Sequence, residues 1–141
     1  MKLLVATDGS NNALRAVDYA VGMLGKLNEP GSITLISVHD DTALRNARRF
    51  LGKDVVEDYL RELSETDMAD ARKHLDEAGI PYECITRTGH VASELTRAAA
   101  DGGFDIIVLG SKGRTALKDF VIGSVARRVA ELSPIPVLLI R

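Results

Sequence analysis

Short apolar runs alternate with segments of helical periodicity along the whole chain, and this alternation restricts the possible folds more than any other feature. Five runs have the length and character of strands, and they lie at 2–7, 32–38, 82–88, 105–109 and 136–140. Strands that alternate with helices are typical of a parallel sheet covered by helices. Because most of these runs lack a polar alternation, both faces of the sheet are expected to be buried. The sequence therefore predicts an α/β fold.

Four helices are predicted between these strands, at 11–27, within 42–79, at 91–100 and at 124–132. In the first, Ala13, Val17 and Ala20 recur at intervals of four and three residues, which places them on one helical face. That face is expected to pack on the sheet.

The charged segment 42–79 is the least regular part of the chain. Its apolar residues keep approximate helical phase, and the polar cluster at 64–67 is the candidate position for a break. Gly79, followed by Pro81, predicts where the helical pattern ends.

Composition excludes several classes of protein. With 18 basic and 20 acidic side chains the formal net charge is −2, which argues against nucleic acid or an anionic membrane as the main partner. No apolar stretch has the length of a membrane span, and the opening run is too short for a signal peptide. Cys84 is the single cysteine, so an internal disulfide is impossible. We expect one domain over 1–141, located in the reducing cytoplasm.

The loop after the fourth predicted strand carries the most informative spacing. Gly110 is followed by two residues and Gly113, then by nine residues and the pair Gly123 and Ser124. Glycines let a backbone approach a ligand closely and adopt dihedral angles closed to other residues. Ser124 is placed to cap the last helix, whose first N–H groups attract anions. The spacing predicts an anion site, although each glycine alone is equally typical of a turn.

The surrounding residues favour a phosphate ligand and limit its type. Lys112, Arg114 and Lys118 add positive charge around the loop. Arg127 stands where a capping box would have a carboxylate, so no built-in anion competes for the site. Neither the P-loop motif nor the dinucleotide-binding glycine motif occurs, which argues against those two classes.

These motifs together resemble the universal stress protein family, whose ATP-binding members carry the same Gly-x2-Gly-x9-Gly-Ser/Thr loop. The segment 6–10, Ala-Thr-Asp-Gly-Ser, is similar to the family's opening motif, and 133–137, Ser-Pro-Ile-Pro-Val, to its closing one. The resemblance covers essentially the whole chain, and 42–65 is its least diagnostic part.

The resemblance implies a doubly wound five-stranded parallel sheet of order 3-2-1-4-5, Rossmann-like and similar to the adenine nucleotide alpha hydrolases. In that order Asp8 and Gly110 face each other across a switch point, where such sheets bind ligands. The implied ligand is ATP, AMP or ADP, with Mg²⁺ held through the phosphates, and Val38 would contact adenine. Eleven residues are assigned to the nucleotide on this basis: Ala6, Thr7, Asp8, Val38, Leu109, Gly110, Lys112, Gly113, Gly123, Ser124 and Val125.

No catalytic residue is predicted. The sequence contains no Ser-His-Asp order and no metalloprotease motif, and the segment 39–41, His-Asp-Asp, fits a solvated loop better than a metal site. The resemblance implies a nucleotide-dependent regulator of a stress response, with at most slow ATP hydrolysis or autophosphorylation at Ser124 or Ser111. Two alternatives stay open: an interaction module with a vestigial nucleotide site, and an adenylating enzyme on a related fold.

The last strand indicates self-association. In the implied order the run 136–140, from Pro136 to Ile140, lies at the edge of the sheet and is apolar. An apolar edge strand invites pairing with another copy, and members of the resembled family pair through this strand. A homodimer is therefore predicted.

Overall fold

The computed structural model describes residues 1–113 and 121–141. Its strands are β1 (Lys2–Ala6), β2 (Ser32–His39), β3 (Tyr82–Thr88), β4 (Ile106–Gly110) and β5 (Val137–Ile140). The helices in these ranges are α1 (Asn11–Gly25), α2 (Asp41–Leu51), α3 (Lys53–Ala78), α4 (Val91–Asp101) and α5 (Ser124–Leu132). All neighbouring strands are parallel, and the order across the sheet is β3-β2-β1-β4-β5. The predicted α/β fold and its strand order are confirmed.

Helices cover both faces of the sheet, and each face has its own apolar core. Leu3 and Val5 of β1 belong to the core formed with α1 and α3, whereas Leu4 belongs to the core formed with α4 and α5. All three side chains are fully buried. Because successive side chains of a strand point to opposite faces, a strand covered on both sides is apolar throughout.

Helix α1 begins directly beside the carboxyl end of β1. The Ser10 Oγ accepts a hydrogen bond from the Ala13 N–H at 3.1 Å and so caps the helix. The predicted apolar face, which includes Val17 and Ala20, is buried. This short connection fixes the start of α1 next to the open end of β1.

The charged segment forms two helices instead of one, and the break lies at Gly52. Gly52 has φ 84° and ψ 159°, a conformation that essentially only glycine adopts. The predicted break at 64–67 is wrong because these residues lie inside α3, where Ser64 and Asp67 are buried. The Ser64 Oγ lies 2.9 Å from His39 Nε2 and so has a polar partner inside the protein. In the sequence, polar residues that find buried partners inside a helix look the same as polar residues that end a helix.

The other predicted boundaries agree with the structure closely. Gly79 has φ 67° and ends α3, as its position before Pro81 predicts. Strands β4 and β5 each begin one residue later than predicted. None of the helices in the described ranges is both long and apolar enough to cross a bilayer.

Candidate functional site

A cavity of about 400 Å³ opens at the carboxyl edge of the sheet, between β1 and β4. The chain leaves β1 into α1 on one face of the sheet, whereas α5, which follows β4, packs on the other face. Connections that diverge in this way leave a crevice beyond the strand ends, the usual ligand position in open α/β sheets.

All eleven residues that the sequence singles out line this cavity. The end of β1 contributes Ala6, Thr7 and Asp8, β2 contributes Val38, β4 and its loop contribute Leu109, Gly110, Lys112 and Gly113, and the start of α5 contributes Gly123, Ser124 and Val125. The structure therefore brings together segments from opposite ends of the chain. Arg114 and Lys118, also predicted near the loop, lie outside the described residues.

Much of the apolar wall of the cavity is not predicted from the sequence. The missed lining residues are Ala13, Ile36, Val91, Leu95, Val121, Ile122 and Ala126. Ile36 alone among them is predictable, from the alternation of side chains along β2. Ile36 precedes Val38 by two residues and so lies on the same face of β2, while Val91 and Leu95 are one turn apart on α4.

Gly110 is required by packing against α1. A Cβ atom at Gly110 would lie 2.6 Å from the Asn12 Oδ1, closer than real Cβ contacts, and 3.1 Å from the Asn12 carbonyl carbon, which is also tight. The Asn12 side chain is buried, and its Oδ1 has no hydrogen-bond partner among residues 1–113 and 121–141. The expected unusual dihedral angles are absent, because none of Gly110, Gly113 and Gly123 has φ in the left-handed region.

Asp8 and Gly113 lie next to each other across the crevice. The Asp8 Oδ2 is 3.3 Å from the position that a Cβ atom would take on Gly113. The other carboxylate oxygen, Oδ1, accepts a hydrogen bond from the Ser10 N–H at 2.9 Å, which orients the side chain. A half-buried carboxylate thus stands at the glycine loop, on the side formed by β1.

The start of α5 presents backbone donors to the cavity. Gly123 is the N-cap residue, with φ −61° and ψ 154°, and its N–H donates to the Ser111 carbonyl oxygen at 2.7 Å. Ser124 is therefore the first helical residue and not the cap, contrary to prediction. The first intrahelical bond runs from the Arg127 N–H to the Gly123 carbonyl, so the N–H groups of the preceding turn have no intrahelical acceptor. Because Ser124 and Val125 line the cavity, these donors lie at its wall.

The electrostatics of this wall suit an anion. The first turn of α5 carries no acidic residue, and no side chain caps the helix. Lys112 lies at the cavity, partly exposed. The helix macrodipole adds partial positive charge at the same end. Together these groups can hold negative charge without a competing carboxylate in the first turn of α5.

The segment 39–41 has a structural role. The Asp40 carboxylate is the N-cap of α2 and accepts a hydrogen bond from the Thr42 N–H at 2.8 Å, which holds the pKa of Asp40 below its usual value. His39 Nε2 lies 3.2 Å from the Ser37 Oγ and faces α3 through Ser64. Within the described ranges, no three His, Cys, Asp or Glu side chains are grouped to hold a metal ion.

Fold and cavity define a doubly wound α/β protein with a ligand site at its switch point. Among proteins of this class, residues 1–141 match the model of the universal stress protein family. The chain belongs to that family.

Three similar proteins illustrate the relationship. The universal stress protein YxiE of Bacillus subtilis is 27% identical over 147 residues, spanning 99% of this chain and 98% of YxiE. The solved structure of MJ0577 from Methanocaldococcus jannaschii, 29% identical, superposes with a TM-score of 0.85 over 99% of this chain and 94% of that one. A universal stress protein in complex with cAMP, 23% identical, has a TM-score of 0.66 over 100% of this chain and 97% of that one.

Proposed function

We propose that the protein binds an adenine nucleotide, ATP or its products AMP and ADP, in the cavity between β1 and β4. The observation that carries the proposal is the cavity's division into two chemically different parts. One wall is apolar and suits a purine ring, and the other offers backbone donors that suit phosphates.

The ligand is oriented by this division. The base packs among Val38, Ile36 and Leu95, and the phosphates meet the Gly110 loop and the start of α5. Asp8, next to the loop, serves the sugar side of the ligand. Because a carboxylate and phosphates repel each other at short range, Mg²⁺ bound to the phosphates lowers the repulsion.

A similar structure in complex with cAMP supports the choice of an adenine ligand. At 23% identity its likeness to this chain concerns the fold. Because a fold does not fix the ligand, the residues that line the cavity of this chain decide its affinity for a nucleotide.

The site is built for holding a nucleotide more than for cleaving it. Fast phosphoryl transfer needs a positioned base or water-orienting group together with a metal clamp. The polar groups of the described walls are backbone donors, the hydroxyls of Thr7 and Ser124, the Lys112 ammonium and one carboxylate, Asp8, which already accepts a bond from the Ser10 N–H. Any hydrolysis is therefore slow.

Ser124 is the better of the two predicted autophosphorylation acceptors. Ser124 is exposed and lines the nucleotide cavity, whereas Ser111 is only 6% exposed and lines a smaller neighbouring cavity. An acceptor hydroxyl must reach the terminal phosphate, and an exposed side chain at the phosphate end of the cavity meets that condition.

The biological role we propose is that of a cytoplasmic, nucleotide-dependent regulator in a stress response. A protein that holds ATP without fast turnover reports the nucleotide state through its conformation or its partners. Membership of the universal stress protein family supports this role.

We also propose a homodimer through β5. This strand pairs with β4 along one edge and has no strand partner on the other edge within the described residues. Its four side chains are only partly buried. Pairing with β5 of a second copy satisfies the open backbone groups and covers the apolar side chains.

The direct test of the binding site replaces Gly113 by Val. A branched side chain at this position meets the Asp8 carboxylate and fills the mouth of the phosphate loop. We expect equilibrium dialysis with radiolabelled ATP to show loss of binding. Gly22→Val is the matched control, because nothing lies within 4 Å of a Cβ atom there. Unchanged binding by Gly113→Val would refute the assignment of the nucleotide to this loop, whereas a wild-type chain that binds no ATP would indicate an interaction module with a vestigial site.

A further inference from the structure

The α2–α3 hairpin exposes several large apolar side chains to solvent. Phe50 is 87% exposed, Leu51 60%, Val55 54% and Tyr59 55%. We call these four side chains the hairpin patch. Single exposed apolar residues are ordinary, but four large ones within ten residues indicate an interaction surface.

The geometry of the hairpin keeps the patch together. Leu44 of α2 packs with Val56 and Leu60 of α3, so the two helices lie against each other. Phe50 and Leu51 end α2, and Gly52 alone separates them from α3. Val55 and Tyr59 are one helical turn apart and so share the outward face of α3. The patch therefore occupies one end of the hairpin, away from the sheet.

The two helices carry opposite charge beside the patch. On α2, Arg48 and Arg49 are exposed and have no ion pair among the described residues. On α3, Asp58 and Glu62 are exposed and lie three and seven residues after Val55, on the same helical face. Asp58 is paired only loosely, at 3.8 Å from Arg61, and both side chains of that pair are more than two thirds exposed.

We propose that the hairpin patch docks against the hairpin patch of a second copy of this chain. A lipid surface offers charge of one sign, which would attract α2 and repel α3. A second copy offers both signs. A two-fold arrangement that lays α2 of each copy on α3 of the other brings Arg48 and Arg49 to Asp58 and Glu62 twice, with the apolar side chains in the centre.

This interface is separate from the β5 edge. The hairpin connects β2 to β3, at one side of the sheet, and β5 forms the opposite edge. One chain can use both surfaces at the same time. In the closed four-chain assembly that two perpendicular two-fold axes generate, the hairpin contact doubles the assembly that the β5 edge produces, and it does not depend on the nucleotide site.

The first test removes the apolar centre. Phe50→Ser is expected to halve the molar mass measured by sedimentation velocity at high micromolar concentration, and to raise the apparent dissociation constant at least tenfold. The matched control is Tyr19→Ser, because Tyr19 lies on α1, outside the patch, and is 51% exposed. An unchanged mass distribution in Phe50→Ser would overturn the proposal. Circular dichroism checks that both variants stay folded.

The second test exchanges the charges. Arg48→Glu with Arg49→Glu makes the basic side of the patch acidic, and Asp58→Lys with Glu62→Lys makes the acidic side basic. Each double variant alone is expected to have half the wild-type mass, and an equimolar mixture is expected to regain the full mass. A mixture that stays at half mass would contradict the pairing. Patch-dependent binding to phosphatidylglycerol vesicles with no change in mass would assign the surface to lipid and overturn the proposal as well.

Discussion

Gly110, Gly113 and Gly123 act through close approach and not through special backbone angles. Each has neighbouring atoms where a Cβ would be, on Asn12, Asp8 and the Ser111 carbonyl respectively, and none has a left-handed φ. The sequence reveals that small residues are needed at this spacing. It does not reveal which atoms require them, because that depends on segments far away in the chain.

Gly110→Ala tests the packing of this loop. The added methyl group would overlap the Asn12 side chain and press on its backbone, so we expect a loss of about 1–3 kcal/mol in the free energy of unfolding. Urea unfolding measures it. Gly22→Ala, in open space on α1, is expected to be stabilising by about 0.5–1 kcal/mol. Equal effects at both positions would contradict the packing role of Gly110.

Ser124→Pro tests the backbone donors at the cavity. Proline is well tolerated at the first helical position, and Gly123 already has the extended conformation that a following proline requires. The variant loses one N–H donor while α5 remains. We expect ATP affinity to fall roughly ten- to a hundredfold, the value of a hydrogen bond to a charged group. Ser124→Ala keeps the N–H, and calorimetry should find its affinity within a few-fold of wild type.

At the scale of elements, boundaries marked by glycine differ in how easily they are recognised. Gly79 ends α3 as predicted, because Pro81 follows and the apolar pattern stops there. Gly52 lies inside a charged segment that keeps helical phase on both sides, so periodicity hides the break. The polar residues at 64–67 suggested a boundary because burial of their side chains is not visible in the sequence.

The same substitution at these two glycines should have different effects. Gly79 has φ 67° and ψ 22°, a conformation that asparagine tolerates, so Gly79→Asn should cost less than about 1 kcal/mol. Gly52→Asn should cost about 1–3 kcal/mol because its conformation is essentially restricted to glycine. Thermal unfolding followed by circular dichroism compares the two. A larger loss at Gly79 would refute this ordering.

The β5 edge has its own test. The Ile107 N–H donates to the Pro136 carbonyl oxygen, and the Ser111 N–H donates to the Ile140 carbonyl oxygen. The backbone groups of Pro136 and Ile140 therefore face β4. Because successive residues of a strand direct these groups to opposite sides, the Leu139 N–H faces the open edge. Leu139→Pro removes that donor without removing a bond to β4. We expect light scattering to show loss of the β5 dimer. Both Leu139→Pro and Leu139→Ala are made together with Phe50→Ser, so that the hairpin contact does not contribute. Leu139→Ala keeps the N–H and should stay dimeric there, and dimerisation of both variants would exclude edge pairing.

At the scale of the whole molecule, the sequence predicts the architecture and the place of the site better than its walls. Alternating strands and helices predict a parallel sheet, and the resemblance supplied its order. Asp8 and Gly113 then meet at the switch point. Val91 and Leu95 were missed because their helix looks ordinary in sequence, and only the packing of α4 over the crevice gives them a place at the cavity.

Purified protein that is denatured and analysed by mass spectrometry for released nucleotide tests the central claim most directly. We expect an adenine nucleotide in the released fraction, near one per chain when ATP and Mg²⁺ are added before purification, and less without Mg²⁺. Absence of any adenine nucleotide, both as purified and after incubation with millimolar ATP and Mg²⁺, would contradict the assignment of the cavity between β1 and β4.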